Sequence, residues 1–336
     1  MPQPMAVSKT VRFYQTGDPH VLRIEDHDVR SPDAGEVAIK VHAIGLNRAE
    51  SMFRRGEYLE APKFPAGLGY EASGTIDALG AGVEGFAVGD AVSVIPSFSM
   101  NEYDVYGERA IVPARALVAK AERLSREQAA SVWMQYLTAW GALVPITDVR
   151  SGDFVIVTAA SSSVGVAAIQ IVNALGATPI AVSRTSAKRA ALEKAGAAHV
   201  IASSEQDLAA EVARITGGRG ARVAFDPIAG PGIEPLARAM SSGGIIVLYG
   251  ALSSEPTPYP LFTALAKRLT LRAYVLFEIT ADPKLFAEGK RYILDGLEVG
   301  RLTPIIAKTF RFDEIVAAHT YLESNQQVGK VVVTVG

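Results

Sequence analysis

The stretch Phe154-Val-Ile-Val-Thr-Ala-Ala-Ser-Ser-Ser-Val-Gly165 joins an apolar run to a turn of small residues. Apolar side chains then recur at the spacing of a helix with one buried face: Val164, Ala168, Ile171, Val172 and Leu175. A strand followed by a tight turn and a helix directs free backbone N–H groups at a pyrophosphate. The stretch departs from the G-x-G-x-x-G fingerprint, because Ala160 and Ser162 replace two glycines and only Gly165 remains. Alone it is a weak signal, so the surrounding residues have to support it.

Length and composition indicate a globular protein of two domains. A chain of 336 residues is longer than one core usually supports. The 49% of hydrophobic and 20% of charged residues are typical of packed chains. The 33 Lys and Arg residues nearly balance 35 Asp and Glu residues, which argues against a nucleic-acid partner. Because neither a signal-peptide pattern nor an apolar run of ~20 residues is present, we expect a cytoplasmic protein without a membrane partner.

The sequence contains no cysteine, which excludes disulfides, thiolate catalysis and thiolate-ligated zinc. The histidines have no metal-ligand partner three or four residues further on: His20, His27, His42, His199 and His319. A histidine–carboxylate site assembled from distant residues has no support in the sequence. We therefore expect no metal site.

The pattern of the chain changes near residue 126. Before it, alternation such as that over residues 36–44, with Gly and Pro at turns, predicts an antiparallel, barrel-like β region. After it, helices alternate with short apolar strands, as in a parallel, doubly wound sheet. Six strands are predicted in this part: 154–158, 180–183, 199–202, 223–226, 245–249 and 270–276.

The predicted fold class is α/β, a Rossmann doubly wound parallel sheet with a mainly β catalytic domain. Six strands equal the Rossmann count. We assign residues 127–276 to the Rossmann dinucleotide-binding domain, and residues 1–126 and 277–336 to the catalytic β-rich domain. A helix is predicted over 283–294. The segment that begins at Lys330 is predicted to be a strand that returns to the first domain.

The residues after the second Rossmann strand favour NADPH over NADH. An acidic residue about 20 positions after the fingerprint binds the ribose 2′-hydroxyl in NAD enzymes. This chain has Ser183, Arg184 and Lys188 in that region, and a hydroxyl with cations suits a 2′-phosphate. The alternative interpretation is that Lys188 lies with Arg189 on the solvated face of the next helix. We expect NADP(H) as the cofactor, bound near these residues.

Small residues in the turn leave room for a phosphate to approach the backbone. Serine hydroxyls are predicted to supplement the amides at the start of the helix. The candidate phosphate contacts are Ser161, Ser162, Ser163, Val164 and Gly165. Gly250 follows the fifth strand, where the lack of a side chain lets a cofactor cross the edge of the sheet.

Several ordered motifs resemble the medium-chain dehydrogenase/reductase superfamily, in its zinc-independent quinone oxidoreductase branch. They are GLNRAE at 45–50, RGEY at 55–58, GYE at 69–71, LTA at 137–139, AASSSVG at 159–165 and GK at 329–330. Each motif is weak alone, and their order and spacing make the resemblance specific. It implies a GroES-like catalytic domain. The chain departs from the family at 201–205, which lacks the usual Asn-Tyr pair near the adenosine.

The resemblance also implies that the catalytic zinc of related enzymes is lost. Zinc-dependent relatives have a cysteine and a histidine where Asn47 and Tyr70 stand, and their third ligand falls at about Met134 or Gln135. Without a Lewis acid to stabilise an alkoxide, the chemistry shifts to acceptors that need only a hydride and a proton. Quinones and activated C=C bonds are such acceptors.

The resemblance places Asn47, Tyr58 and Thr138 around the nicotinamide. Tyr58 matches the tyrosine thought to deliver a proton in enoyl-thioester reductases, a role open to a phenol. Its alternative role is an aromatic lid. Asn47 is expected to hold the carbonyl oxygen or the nicotinamide ribose, or else to cap a turn. Phe277, in a loop that closes over the nicotinamide, and Lys330, in the C-terminal motif, are further implied cofactor contacts.

Arg48, Arg54 and Arg55 form a basic group close to the predicted pocket. One interpretation is that they bind an anionic substrate tail such as the phosphates of a CoA thioester. The other is that they face solvent or pair with neighbours such as Glu50 and Glu57.

The predicted function is an NADPH-dependent, zinc-independent reductase that transfers hydride to a quinone or an α,β-unsaturated carbonyl. Its small-molecule acceptor is expected to enter a dry cleft between the β domain and the carboxyl ends of the Rossmann strands. Two alternatives stay open: a 2-enoyl-thioester reductase and a non-catalytic NADPH-binding protein. The resemblance implies a homodimer, in which the apolar segment 270–276 would extend the sheet across a two-fold axis.

Overall fold

The structure is a computed structural model that describes residues 6–336. The chain divides into two compact units. The first unit contains the described residues up to Met134 together with Pro304–Gly336, and the second contains Gln135–Thr303. The functional domain borders after residues 126 and 276 stay a prediction.

The first unit is mainly β-structure. Its strands are β1 (Ala6–Arg12), β2 (Arg23–Val29), β3 (Glu36–Leu46), β4 (Ala72–Leu79), β5 (Ala91–Val94), β6 (Arg109–Pro113), β7 (Leu117–Ala119), β14 (Ile306–Arg311) and β15 (Lys330–Thr334). Strands β1 and β2 form an antiparallel ribbon. The other strands form a seven-stranded sheet in the order β14-β15-β3-β4-β5-β7, with β6 paired to β3.

The C-terminal strand β15 does return to the first unit, as the sequence predicts. It runs antiparallel to β3, with Val331 opposite Leu46 and Val333 opposite Ile44. Because of this register, the first residue of β15, Lys330, lies beside the end of β3, where Asn47 follows. Two segments that are 283 residues apart in sequence therefore meet at one point of the sheet.

Helices of the first unit connect and cover these strands. They are α1 (Arg48–Arg55), α2 (Arg126–Ala129) and α11 (Ile315–Glu323). Helix α1 begins at Asn47, whose backbone N–H donates to the Glu50 carboxylate at 2.6 Å, which satisfies one of the free amides of a helix start. The helix ends at Gly56, whose φ of 74° is the left-handed conformation of a helix C-cap.

The second unit contains the predicted Rossmann sheet. Its strands are β8 (Phe154–Val157), β9 (Thr178–Ser183), β10 (His199–Ala202), β11 (Ala221–Asp226), β12 (Met240–Leu248) and β13 (Thr270–Ala273). All are parallel, in the order β10-β9-β8-β11-β12-β13. This is the Rossmann order 3-2-1-4-5-6, so the predicted fold class is confirmed. Strand β8 is apolar throughout, as expected of a strand with helices on both faces.

Helices of the second unit alternate with the strands. They are α3 (Trp133–Gly141), which begins at the unit border, α4 (Ser163–Ala174), α5 (Arg189–Lys194), α6 (Leu208–Thr216), α7 (Ile233–Ala239), α8 (Leu261–Lys267), α9 (Phe277–Thr280) and α10 (Pro283–Glu298). Helix α4 buries more than the single stripe that its spacing predicts, because Val166, Ala167 and Ile169 are buried as well. None of the helices within residues 6–336 combines the length and apolarity needed to cross a bilayer.

Candidate active site

The turn between β8 and α4 forms a capped helix start, a kind of feature that can bind an anion. Ser162 is the N-cap of α4, and its Oγ accepts the N–H of Gly165 at 3.0 Å. The first amides of an α-helix have no acceptor inside the helix, and Ser163 and Val164 stand at these first positions of α4. The helix dipole favours a negative group at this end. Gly165 is one of the predicted phosphate contacts, but its backbone N–H donates to the capping Ser162 hydroxyl.

Close packing explains why Gly165 is the one position of the G-x-G-x-x-G fingerprint that is still a glycine. A Cβ atom at this position would lie 2.6 Å from the carbonyl oxygen of Ala160 and 2.7 Å from its Cα. These atoms are backbone and cannot move aside cheaply, so the first turn of α4 packs on the strand end only with glycine. Ala160 itself is fully buried. The residues present therefore fit a pyrophosphate held by backbone amides.

Two cations stand on the side of this turn that follows β9. The Nζ of Lys188 donates to Ser161 Oγ at 2.9 Å. Burial lowers the pKa of Lys188, and the nearby charge of Arg184 lowers it further. Arg184 is exposed, directly after β9. Lys188 therefore contacts the phosphate turn, and it does not lie on a fully solvated helix face.

The hydroxyls near these cations mostly hold the backbone. Ser183 Oγ donates to the carbonyl of Thr185 at 2.8 Å. Ser203 Oγ donates to the carbonyl of Ser183 at 3.3 Å, and Ser204 Oγ donates to that of Arg184. The serines at the position of the family's Asn-Tyr pair thus fix the loop that carries Arg184.

Strand ends next to the turn contribute residues to which the sequence analysis assigned no role. Thr158 Oγ1 donates to the buried carboxylate of Asp226 at the end of β11. The same carboxylate accepts the N–H of Ala229 at 2.7 Å, and burial raises its pKa. Gly250 packs closely on the loop that follows β11. A Cβ atom at Gly250 would lie 2.9 Å from the carbonyl oxygen of Pro227 in that loop. In the sequence, the position of Asp226 at the end of a predicted strand could have indicated its contact with Thr158.

In the first unit, a buried polar cluster occupies the segments that match the zinc-ligand motifs. The Nζ of Lys330 lies 2.5 Å from Asn47 Oδ1 and 2.6 Å from Glu71 Oε2. The amide nitrogen of Asn47 donates to the carbonyl of Gly45 and to Glu50 Oε1, both at 3.1 Å. Both ends of the Asn47 amide are therefore engaged inside the protein. Asn47 is also the N-cap residue of α1, and its contact with a substrate carbonyl or the nicotinamide ribose stays a prediction.

Glu50 is the second acid of this cluster, and it is fully buried. Its carboxylate accepts the backbone N–H of Asn47 at 2.6 Å and that of Tyr70 at 3.3 Å. Burial raises the pKa of Glu50 to about 7, although the Lys330 charge and the hydrogen bonds from Asn47 act in the opposite direction. The cluster therefore holds one buried cation between two acids.

Glu71 ties the third zinc-ligand segment to the same cluster. Its Oε1 accepts the N–H of Trp133 at 2.5 Å and that of Met134 at 3.3 Å. A Cβ at Gly45 would lie 1.9 Å from the carbonyl oxygen of Ala130 and 2.8 Å from Lys330 Cε, so glycine there lets the lysine chain pass. Among residues 6–336, no three side chains of His, Cys, Asp or Glu lie together as metal ligands would.

Tyr58 lies in the loop after α1, next to Tyr70. The ring centroids are 6.4 Å apart and the ring planes meet at 55°. Tyr70 is fully buried and Tyr58 is partly buried. Burial raises the pKa of Tyr58 to about 12, while a side-chain hydrogen bond with Tyr70 lowers it. Tyr58 is therefore protonated at neutral pH, as a proton donor must be.

The basic group of the first unit is held by a carboxylate of α11. Arg54 is fully buried, pairs with Glu323 and donates to the carbonyl of Gly17 at 2.8 Å. Arg55 pairs with Glu57 at 2.9 Å and with Glu323 at 3.4 Å. Arg48 donates to Asn325 Oδ1 and to the Glu323 carbonyl. These contacts agree with the interpretation that the arginines pair with neighbours.

The two remaining predicted residues lie in the second unit. Thr138 is buried within α3, and Phe277 is the partly buried first residue of α9. Their places near the nicotinamide stay predictions.

Two family models match the chain in the order of its units. The alcohol dehydrogenase GroES-like domain matches residues 33–122, and the zinc-binding dehydrogenase domain matches residues 163–288. A curated relative, quinone oxidoreductase 1 of Escherichia coli, is 31% identical over 329 residues, which cover 95% of this chain and 97% of the relative. The 2-haloacrylate reductase of a Burkholderia species is 28% identical over 326 residues, which cover 95% and 97%.

Solved structures with the same fold extend these likenesses. The quinone oxidoreductase of Escherichia coli complexed with NADPH has a TM-score of 0.89 at 26% identity and covers 97% of this chain and 99% of its own. An NAD-dependent alcohol dehydrogenase has a TM-score of 0.88 at 31% identity, with 98% and 100% covered. The CurK enoyl reductase has a TM-score of 0.86 at 25% identity, with 98% and 99% covered.

A Rossmann unit with an anion-binding turn and a GroES-like unit together define a dinucleotide-dependent oxidoreductase. Relatives of matching length are named as oxidoreductases. The chain belongs to the medium-chain dehydrogenase/reductase superfamily, in its quinone oxidoreductase-like branch.

Proposed function

We propose that the protein is an NADPH-dependent, zinc-independent reductase of quinones or α,β-unsaturated carbonyls. The bound dihydronicotinamide supplies the hydride in this chemistry. The residues of the chain bind the dinucleotide and deliver the accompanying proton. The observation that carries the proposal is the protonated Tyr58 phenol beside zinc-ligand positions whose residues are not ligands.

The NADPH preference is supported by the cations at the phosphate turn. Lys188 is fixed to Ser161 at 2.9 Å, and Arg184 stands at the end of β9 near enough to lower its pKa. Two positive charges suit a 2′-phosphate through charge-assisted hydrogen bonds. The NADPH complex of a structural relative points the same way, whereas the NAD-dependent relative points to NADH. The two cations support NADPH over NADH.

The acceptor class is supported by the chemistry of the first unit. Asn47 is bound to Lys330 and Glu50, and Tyr70 stands where a histidine ligand would be. These residues supply no Lewis acid for an alcohol substrate. Tyr58 keeps its proton at neutral pH, since its pKa is about 12. It can donate a hydrogen bond to an oxygen that gains negative charge and then transfer the proton.

A 2-enoyl-thioester reductase is the second candidate, favoured by the likeness to the CurK enoyl reductase. The basic group predicted to bind the phosphates of a CoA tail gives this candidate less support, because Arg54 and Arg55 are already paired with Glu323. The same Tyr58 chemistry serves both candidates, since a quinone, an enone and an enoyl thioester each need a hydride and a proton. The difference between them lies in the anionic tail of the thioester.

A panel of acceptors tests the proposal. Purified protein is assayed by NADPH absorbance with a quinone, a simple enone, an enoyl-CoA and a simple ketone. We expect turnover of the quinone or the enone, no turnover of the ketone, and no gain from added Zn²⁺. Preference for the enoyl-CoA by tenfold or more in kcat/KM would select the second candidate. Binding of NADPH without oxidation by any acceptor would contradict both.

A further inference from the structure

Two alanines of the second unit have a backbone conformation that is unusual for their residue type. Ala159, in the turn between β8 and α4, has a φ of 44°, and Ala229, in the loop after β11, has a φ of 58°. The ψ of Ala229 is −143°. Glycine adopts this combination freely, whereas a Cβ atom makes it strained. Such strain costs free energy, and it persists only where the surrounding contacts hold the residue in place.

The side chain of Asp226 supplies such a contact to Ala229. Asp226 is the last residue of β11 and is only 4% exposed. Its Oδ2 accepts the N–H of Ala229 at 2.7 Å. Its Oδ1 accepts the hydroxyl of Thr158, the residue that directly precedes Ala159. One buried carboxylate therefore binds both the loop after β11 and the entry to the turn between β8 and α4.

The loop after β11, residues 227–230, is also paired with the loop after β12. The N–H of Leu252 donates to the carbonyl of Pro227 at 3.0 Å, and that of Ser253 donates to the carbonyl of Ile228 at 2.9 Å. The backbone of one loop is thus hydrogen-bonded to the backbone of the other. A change in the conformation of the loop after β11 would therefore displace both loops.

These loops lie on the other side of the point where the strand order reverses. The reversal falls between the adjacent strands β8 and β11. In a Rossmann fold, each half of the sheet binds one mononucleotide of the cofactor. The turn after β8 and Arg184 after β9 belong to the half for the adenosine ribose and its 2′-phosphate. The loops after β11 and β12 therefore belong to the half for the nicotinamide mononucleotide.

We propose that Asp226 is a positioning residue, which holds Ala229 in its strained conformation and so fixes the nicotinamide half of the cofactor site before the cofactor binds. The inference rests on the proposed function, in which NADPH is the cofactor. A loop that is already in place does not have to be ordered by the ligand, so less free energy is lost on binding.

Removal of the carboxylate should therefore weaken the binding of the nicotinamide half. Without Asp226, strain favours a relaxed conformation of Ala229, and only a fraction of the molecules keeps the loop in place. The apparent Kd rises by the inverse of that fraction. The turn between β8 and α4 keeps its own supports, because the N–H of Ala160 donates to the carbonyl of Val182 at 3.1 Å and Ser162 still caps α4. The adenosine half should therefore bind as before.

Fluorescence titration with NADPH, and its competition by 2′,5′-ADP, tests this role without turnover. The second ligand carries the adenosine and its phosphates and has no nicotinamide. We expect Asp226→Ala to raise the Kd of NADPH about 10-fold and to leave that of 2′,5′-ADP unchanged. A merely structural role would weaken both ligands alike. Asp226→Asn keeps an oxygen that accepts the Ala229 N–H, so it should restore most of the affinity for NADPH.

Ala229→Gly tests the strain itself. Glycine adopts the conformation of residue 229 without strain, so the variant without cofactor should melt about 2–4 °C higher than the wild type. In this background, Asp226→Ala should raise the Kd of NADPH less than it does in the wild type, because the loop no longer needs the carboxylate. Ala213→Gly is the control, since Ala213 is exposed inside helix α6 and glycine there should lower the melting temperature.

The matched control for Asp226→Ala is Asp153→Ala. Asp153 also accepts a backbone N–H, that of Arg150 at 2.9 Å, but it lies directly before β8, at the opposite end of the sheet. Its replacement should leave the Kd of both ligands unchanged. Thermal melting shows whether each variant folds. If Asp226→Ala does not, Thr158→Val replaces it, because this change removes only the hydroxyl that holds the carboxylate, and it should weaken NADPH and spare 2′,5′-ADP in the same way.

The outcomes separate the inference from the proposed function. If Asp226→Ala binds NADPH as the wild type does, or loses both ligands equally, the role of Asp226 is wrong and the proposed function stands. An Ala229→Gly variant that melts below the wild type also contradicts the inference. If the wild type prefers NADH, the proposed cofactor is wrong, and the same titrations with NADH and AMP decide the role of Asp226. A wild type that binds neither dinucleotide contradicts both.

Discussion

Lys330 Nζ lies 2.6 Å from Glu71 Oε2, and neither side chain is exposed to solvent. The pair joins the C-terminal strand β15 to the segment that matches the second zinc-ligand motif. Breaking a buried pair by removal of one partner costs about 3–5 kcal/mol, because an unpaired charge stays buried. The pair also positions Asn47, through the second contact of the same ammonium group.

We expect Lys330→Met to lower the free energy of unfolding by about 3–5 kcal/mol. The physical reason is that Glu71 would remain buried without its cation. Urea denaturation followed by circular dichroism measures the change. The double variant Lys330→Met/Glu71→Gln should recover part of the loss, since it removes both charges. Equal stability of Lys330→Met and wild type would show that the pair is not buried as described.

His319 makes the first unit sensitive to acid. It is fully buried, and neither ring nitrogen has a hydrogen-bond partner among the described residues. Burial, together with the nearby charge of Arg54, lowers its pKa to about 3. The folded state therefore keeps His319 neutral, whereas the unfolded chain binds a proton below its usual pKa of about 6.5. The contribution of neutral His319 to the free energy of unfolding is therefore complete above about pH 6.5, and it is lost as the pH falls from there toward 3.

We expect His319→Phe to remove this acid sensitivity, because phenylalanine binds no proton. The stability of the wild type relative to the variant should fall by about 2 kcal/mol between pH 7.5 and pH 5. Urea denaturation at a series of pH values measures the difference. His20→Phe is the control, since His20 is exposed and its replacement should leave the pH profile unchanged. Parallel profiles for wild type and His319→Phe would contradict the assignment.

Arg184 tests the cofactor preference. Loss of a charge-assisted hydrogen bond to a 2′-phosphate costs roughly 1.5–3 kcal/mol, so Arg184→Ala should raise KM for NADPH about 10- to 100-fold. NADH lacks this phosphate, so its KM should not change. The matched control is Arg189→Ala, because Arg189 pairs with Glu193 at 3.9 Å. An equal loss with both cofactors would show that Arg184 acts on the fold or on the pyrophosphate.

The sequence indicates the Rossmann sheet well, because its strands are short apolar runs bounded by turns. The strand 199–202 is predicted to the residue, and β9 begins only two residues earlier than predicted. Strand β12 begins at Met240, five residues before the prediction, because Ser241–Gly244 reads as a turn. There the chain pairs with β11 across a register shift, which no local pattern reveals.

The sequence also indicates the turn between β8 and α4, since its residues are neighbours along the chain. The Lys330 cluster is different. Its members come from β15, from the end of β3 and from residue 71, and only the strand register brings them together. Local pattern gives Asn47 a capping role, and it cannot show that a lysine 283 residues away occupies the other end of its amide. The pairing of Tyr58 with Tyr70 depends in the same way on tertiary contacts.

The homodimer is the last prediction, and the edge of the Rossmann sheet gives it a physical basis. Strand β13 pairs only with β12 among the described strands, so its outer edge offers free backbone groups. Helix α8 beside it exposes Phe262 by 84% and Leu265 by 65%. An apolar helix next to an open strand edge is typical of a surface that another copy covers.

We expect a dimer of twice 35.6 kDa in light scattering after size exclusion. The double variant Phe262→Glu/Leu265→Glu should be a monomer at micromolar concentration, because four charges would face each other across a two-fold axis. Val88→Glu is the control, since Val88 is 63% exposed in the first unit and its replacement should leave the mass unchanged. A monomeric wild type, or a double variant with the mass of a dimer, would place the interface elsewhere or exclude it.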